Sequence, residues 1–312
     1  MVSAGVGDWL GWVAGVLLYP GLVFLGAFCL LADWLYRALK PYIAPRLFRG
    51  HAGRLASLLQ PLYDALKAGG QNGSRTLIQT SAVELNSGNY ARVAALLGLV
   101  ATLLAVVLLP VPGSFTGGVL GSGADLFTVL ALLAVTPVLS NWVAILPGGA
   151  GALRASRALG GLLLALLPLL LCIAALVEVS GRHTLAIRSL LSAPESAAQT
   201  FVRLLAAGVL LVCLPWWIGR GHPGDRLLYM GRLLLRGALA ILWSLIVLPG
   251  AGEPVWAFFI LVLGGLFAYT AMRFVEERWV PARGEAAGAQ LAWATALPLA
   301  GLALVVSLLW GV

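Results

Sequence analysis

The chain has 312 residues, of which 61% are hydrophobic and only 10% charged, with a mean hydropathy of +0.97 and a net charge of +8. Soluble domains carry roughly 25% charged residues, so a chain this apolar could not cover its surface in water. The basic surplus does not point to nucleic acid, because the Lys and Arg residues lie between apolar segments, where membrane topology signals sit. No soluble domain is visible, and 1–312 reads as a single membrane domain. The first apolar stretch is too long for the h-region of a removable signal peptide and has no basic stretch ahead of it.

A spanning helix needs about 20 largely apolar residues. Eight segments meet that need, at 10–34, 92–111, 124–146, 158–178, 200–218, 232–249, 254–273 and 290–311. Runs such as Leu162 to Leu171 do not alternate as the strands of a membrane barrel would. The expected fold class is therefore all-α: a polytopic integral membrane protein with about eight transmembrane helices.

Taken in order, the first span holds the pair Gly11 and Gly15, then Cys29, with Asp33 near its end. The link at about 35–91 is too basic and polar to span. Within it, Arg54 to Lys67 places Leu55, Leu58, Leu59, Leu62 and Leu66 at helical spacing, the pattern of an amphipathic helix on a membrane surface or a partner. Gly69 to Ser74 ends it. Pro110 and Pro112 close the second span, and Asp125 opens the third, which contains Pro137. Gly148, Gly149 and Gly151 read as a turn before the fourth span, which holds Gly160, Gly161, Pro168 and Cys172 and ends at Glu178. Cys213 lies in the fifth span, Gly264 and Gly265 in the seventh, and Pro298 in the eighth; Glu276 and Glu277 follow the seventh. The glycine pairs predict close helix contacts. The prolines predict freed carbonyls that neighbouring helices must accommodate.

No metal ligand set is expected. Cys29, Cys172 and Cys213 share no ligand spacing and read as packing residues. His51, His183 and His222 are isolated in links. No Ser-His-Asp set, zinc motif or phosphate-binding loop is present, and the middle of the membrane is expected to be nearly free of polar side chains. Asp33, Asp125, Glu178, Glu276 and Glu277 are each expected near a span end, as interfacial anchors or salt-bridge partners.

Seventeen Lys and Arg residues fall in or beside the odd-numbered links, against three (Arg182, Arg188, Arg203) on the other side. Cytoplasmic loops are enriched in Lys and Arg. That bias places the odd-numbered links inside and both termini outside.

The stretch from Arg46 to Lys67, with Leu59, Gln60, Pro61, Asp64 and Lys67, resembles the first cytoplasmic loop of NADH dehydrogenase subunit 1 of respiratory complex I. The same family includes formate hydrogenlyase subunit 4 and the matching subunits of energy-converting hydrogenases. Ser140-Asn141-Trp142 with Gly151 to Ala155, and Gln290 to Trp293 with Leu297-Pro298-Leu299, resemble two further patches of that family. The Arg-Gly-Pro core of its loop survives only as Arg49-Gly50. The resemblance implies a non-catalytic subunit of a membrane oxidoreductase, which docks a soluble redox arm onto an ion-translocating membrane arm. It implies partner docking through Arg49, Gln60, Pro61, Asp64, Lys67 and Arg154. The iron–sulfur clusters would belong to hydrogenase-like or complex I-like soluble subunits, and antiporter-like subunits would sit beside this chain in the cell membrane.

Two departures qualify that reading. The family carries a glutamate nine residues after the arginine of its Leu-Arg-Ala motif, and here that position is Leu163. Its long acidic loop between the fifth and sixth helices is reduced to Gly219 through Met230, with Asp225 as the one acid. Both count against a bound quinone and a continuous acidic proton path. The remaining candidates for an ion relay are Asp33, Asp64, Glu276 and Glu277. An independent secondary transporter is the alternative; internal repeats and broken helices around a polar centre would favour it.

Overall fold

The computed structural model describes residues 13–14, 17–43, 82–112, 124–145, 149–181, 184–190, 196–218, 226–248, 254–279 and 284–310. Eight long helices hold most of them: α1 (Leu22–Ile43), α2 (Ala82–Leu108), α3 (Leu126–Ile145), α4 (Gly149–Val179), α5 (Ala197–Ile218), α6 (Arg226–Val247), α7 (Pro254–Trp279) and α8 (Gly284–Trp310). A one-turn helix, Ile187–Leu190, precedes α5. Among the described residues there is no strand, only an isolated bridge between Asp125 and Ala186. Seven of the eight are long and apolar enough to cross a membrane; in α5 the apolar stretch is the shorter Ala197–Cys213. The chain is a multi-pass, all-α membrane protein.

Several boundaries differ from the sequence expectation. The chain turns at residues 18–21, around Pro20, so α1 begins at Leu22 and runs on to Ile43 instead of ending near residue 34. Pro20 lacks the N–H that a continuous helix would need there. Asp33 consequently sits midway along α1. At their basic ends α2, α6 and α7 continue past their apolar stretches, because a helical backbone keeps its own hydrogen bonds in or out of lipid. Gly149 and Gly151 belong to the first turn of α4 and not to a turn before it.

Helix α6 is the centre of the bundle. It packs against α1, α2, α3, α5 and α7, and 78% of its apolar stretch is buried, against 28% for the peripheral α8. Helices α4, α5 and α8 pack on one another, α2 pairs with α3, and α1 lies on α6 and α7. Missing side chains let the backbones approach. A methyl on Gly237 would overlap Cys29 Sγ, one on Gly264 would overlap Ser244 Oγ, and one on Gly265 would come within 2.9 Å of Phe28. The Gly264-Gly265 expectation therefore holds. Gly160 and Gly161 have nothing within 4 Å of such a methyl and make no close contact. Gly11 and Gly15 lie outside the described residues.

Several polar groups are matched across or along helices. Pro168 has no N–H for the carbonyl of Leu164, one turn back. The indole of Trp293 on α8 donates to that carbonyl at 3.0 Å. Trp243 Nε1 donates to Ala207 O at 2.9 Å, and Ser244 Oγ to Leu261 O at 3.0 Å, joining α6 to α5 and α7. Asp125 caps α3 by accepting from the Thr128 N–H, and Ser196 caps α5 by accepting from Gln199 N. Gly181, at φ 63°, turns the chain out of α4 in the left-handed region that glycine favours. Tyr19 donates to Pro112 O at 2.6 Å, and burial pushes its phenol up to about 12. It stays a neutral donor across the physiological range.

The expectation of a nearly apolar interior is corrected. Thr102, Thr136, Ser140, Asn141, Ser244 and Ser307 are all buried. Thr102 and Thr136 both donate to Gly98 O, at 2.9 and 2.8 Å, and Asn141 donates to Pro137 O at 2.8 Å. Helical hydroxyls and amides can bond to carbonyls of their own or a neighbouring helix, so they enter an apolar interior without leaving a group unpaired. Cys29, Cys172 and Cys213 are buried and free, as packing residues would be.

Candidate functional site

At the basic ends of α1, α6 and α7 the helices bring together a network of charged side chains. Asp33 on α1 is 2% exposed. One of its oxygens accepts from Arg37 Nε, one turn along the same helix, at 2.8 Å. The other accepts from the buried Tyr269 hydroxyl on α7 at 3.3 Å. Arg273 Nη2, also on α7, lies 3.8 Å from the same oxygen. Glu276, one turn further, has Arg273 Nη1 at 3.5 Å from Oε2, and Arg236 Nη2 on α6 at 2.8 Å from Oε1. The charges thus alternate across three helices in the order Arg37, Asp33, Arg273, Glu276, Arg236.

Aromatic and cationic neighbours surround this row. Tyr36 on α1 is buried, with Arg273 at 5.2 Å from its ring centroid and Lys40 at 5.9 Å. Arg232 lies one turn before Arg236 on α6, within reach of the fields of both Arg236 and Glu276. Cys29, one turn before Asp33, donates its S–H to Leu233 O at 3.3 Å and fills the space that Gly237 leaves open.

Burial strengthens these interactions and raises the cost of breaking them. Removing one carboxylate would weaken the pairing of two guanidiniums at once. The network can therefore do two things: hold three helices in register, and carry an electrostatic change at one helix to the next.

The sequence-expected site residues divide. Asp33 and Glu276 fall in this one network, as salt-bridge partners. Glu277 lies on α7 and Arg154 on α4, but their side chains are outside the described residues. Arg49, Gln60, Pro61, Asp64 and Lys67, the amphipathic stretch 54–67, and His51, His183 and His222 also lie outside them. Leu163 is 65% exposed on α4, so a carboxylate at that position would face outward and not into the bundle.

Sequence reasoning counted Arg37, Arg232, Arg236 and Arg273 as topology signals and passed over their pairing. The signal was there in the spacing. Asp33 and Arg37, and Arg232 and Arg236, are four apart, and Arg273 and Glu276 three apart, so each pair shares a helix face. Nothing in the sequence showed that the three faces meet. Arg203 was also counted as lying at the outer end of its span. It is 5% exposed, and Nη2 donates to Leu190 O at 2.9 Å, tying α5 to the one-turn helix before it. Among the described residues no three His, Cys, Asp or Glu side chains converge as a metal site would require.

No protein-family model matches the chain, and no curated protein matches it. Among solved structures, a chain of the membrane-bound sulfane sulfur reductase (MBS), an archaeal respiratory membrane complex, superposes with a TM-score of 0.70. The two share a fold. The match covers 97% of this chain and 100% of that one, at 18% sequence identity. At that identity it is the arrangement of helices that is common, and it extends over the whole length of both chains.

Proposed function

We propose that this chain is a membrane subunit of a respiratory complex, and that it docks a soluble redox arm onto an ion-translocating membrane arm. The observation that carries the reading is the end-to-end fold match with a chain of a respiratory membrane complex. The loop residues that resemble the NADH dehydrogenase subunit 1 and formate hydrogenlyase subunit 4 family support it independently. In this reading both termini are outside the cell membrane and the basic ends face the cytoplasm. Arg49, Gln60, Pro61, Asp64 and Lys67, with Arg154, form the docking face. The iron–sulfur clusters belong to complex I-like or hydrogenase-like soluble partners.

The network of Asp33, Arg273, Glu276 and Arg236 is the transmission element in this reading. A proton relay needs carboxylates that gain and lose a proton along a connected path. Asp33 and Glu276 are each held by a guanidinium at 2.8 Å, which fixes their position. The outward-facing Leu163 and the single acid of the link before α6 support the same conclusion. Ions cross in neighbouring antiporter-like subunits, and the same two departures count against a quinone bound by this chain. The polar seam between α2 and α3 does not favour an independent transporter, because its hydroxyls and amide bond to carbonyls within the chain.

The test is co-purification of the assembled complex. Asp64→Lys should release the soluble arm while the chain remains inserted; an unchanged soluble arm would refute docking at this loop. Asp33, Asp64, Glu276 and Glu277, changed one at a time to Asn or Gln, then separate transmission from conduction. Loss of ion pumping with assembly and electron flow intact would show that the ion path runs through this chain.

A further inference from the structure

We propose that the end of α5 opposite the charge network is an oxyanion site, where Arg203 and the first turn of the helix hold the phosphate of an anionic phospholipid. The site goes beyond the docking reading and shares no residue with it.

Arg203 is an unbalanced charge. A guanidinium keeps its proton at any physiological pH. Arg203 is buried; its Nη2 donates to Leu190 O, whereas Nη1 is buried and bonds to nothing. The ion pairs between described residues lie at the other end of the bundle, around Asp33 and Glu276. Asp125 and Glu178, the described acids at this end, form none with Arg203. A buried guanidinium without a counter-charge is costly. An oxyanion would give Nη1 a charge-assisted hydrogen bond without breaking an existing one.

The surroundings of Arg203 suit an anion. Ser196, Thr200 and Arg203 are spaced four and three apart, so they share one face of the helix. Ser196 and Thr200 are exposed, and the face therefore opens within one turn of the buried guanidinium. Helical side chains lean toward the N-terminus, and the bond to Leu190 O carries this one back to the element ahead of α5. Ser196 Oγ accepts from Gln199 N, and Thr200 Oγ1 donates to Ser196 O. The Ser196 hydroxyl proton is left to donate outward. The start of a helix carries a partial positive charge and N–H groups without helical partners. Here it adds to the guanidinium charge instead of offsetting it.

Membrane depth decides which oxyanion. Arg203 falls within the apolar stretch of α5, Ala197–Cys213, which is shorter than the roughly 20 residues of a full span. Its neighbours Phe201 and Leu204 are apolar and exposed, as groups facing acyl chains are. A phosphate at this level belongs to a lipid headgroup whose chains lie along Phe201 and Leu204.

Native mass spectrometry of the full chain, released from detergent micelles, tests the site with phosphatidylglycerol, phosphatidylcholine and inorganic phosphate. The parent should retain phosphatidylglycerol over phosphatidylcholine. Arg203→Gln should weaken phosphatidylglycerol binding about tenfold, the scale of one charge-assisted hydrogen bond. Arg157→Gln, at an exposed arginine of the opposite end, should bind as the parent does. Unchanged affinity in Arg203→Gln, or equal affinity for the two lipids, refutes the site and leaves the guanidinium to a carboxylate of a neighbouring subunit. Displacement of the lipid by millimolar inorganic phosphate overturns the lipid assignment in favour of the free ion. Should Arg203→Gln fail to accumulate, Arg203→Lys decides. It keeps the charge but loses the planar fork, so weaker binding supports the site and unchanged binding refutes it. Lipid binding is read without partner subunits, so this site and the docking reading fail separately.

Discussion

The indole of Trp293 on α8 donates to the carbonyl of Leu164 on α4, the carbonyl that Pro168 leaves without a helical donor. A proline that would otherwise expose a polar group to lipid thereby becomes a joint between two helices. Trp293→Phe should lower the stability of the chain by about 1 kcal/mol, the scale of an interhelical hydrogen bond in a membrane. In a Pro168→Ala background, where Leu164 O regains its backbone donor, the same change should cost less. Denaturant titration of the four variants in mixed micelles measures the difference. Equal costs in both backgrounds would mean that the bond does not answer the proline.

Asp33 is the deepest member of the charge network. Asp33→Asn leaves Arg37 and Arg273 facing a neutral amide, a loss of about 1–3 kcal/mol. Glu276→Gln should cost less, because Glu276 is 14% exposed and water can partly replace it. The order of the two melting temperatures checks this. An Asp33 variant as stable as the parent would remove the network from the structural core.

Gly237 is where α6 admits α1. Gly237→Ala should destabilise the chain strongly, because the methyl would overlap Cys29 Sγ and approach Leu25. Cys29→Ala removes the sulfur and should restore much of that loss. Gly161→Ala, with open space around it, serves as the control and should be neutral or slightly stabilising, since alanine favours a helix over glycine. Thermal unfolding of the single and double variants reads all three outcomes.

Orientation is tested with single cysteines in intact cells, in a background where Cys29, Cys172 and Cys213 are replaced. Cysteines at Asn72 and Ala282 should be shielded from an impermeant thiol reagent, and one at Gly252 should be labelled. The seventeen-to-three charge bias sets the direction. The reverse pattern would turn the chain over.

The helical class and the approximate positions of eight helices, seven of them long and apolar enough to span, could be read directly from the residues. In lipid a backbone must satisfy its own hydrogen bonds, so an uninterrupted apolar run of sufficient length leaves a helix as the outcome. Charge bias and the short loop motifs were legible for the same reason: each is local in sequence. The assembly of the site was not local. Arg236 and Glu276 are 40 positions apart, Asp33 and Tyr269 are 236 apart, and no periodicity links them. Their meeting depends on α6 occupying the centre of the bundle. That in turn depends on how Gly237, Gly264 and Gly265 let α1 and α7 close on it. Likewise Leu163 and Leu162 are the same residue type on one helix, yet one is 65% exposed and the other buried. In a chain whose outer surface meets lipid, hydrophobicity no longer separates inside from outside. Only packing decides which apolar face turns inward and which buried charges find one another.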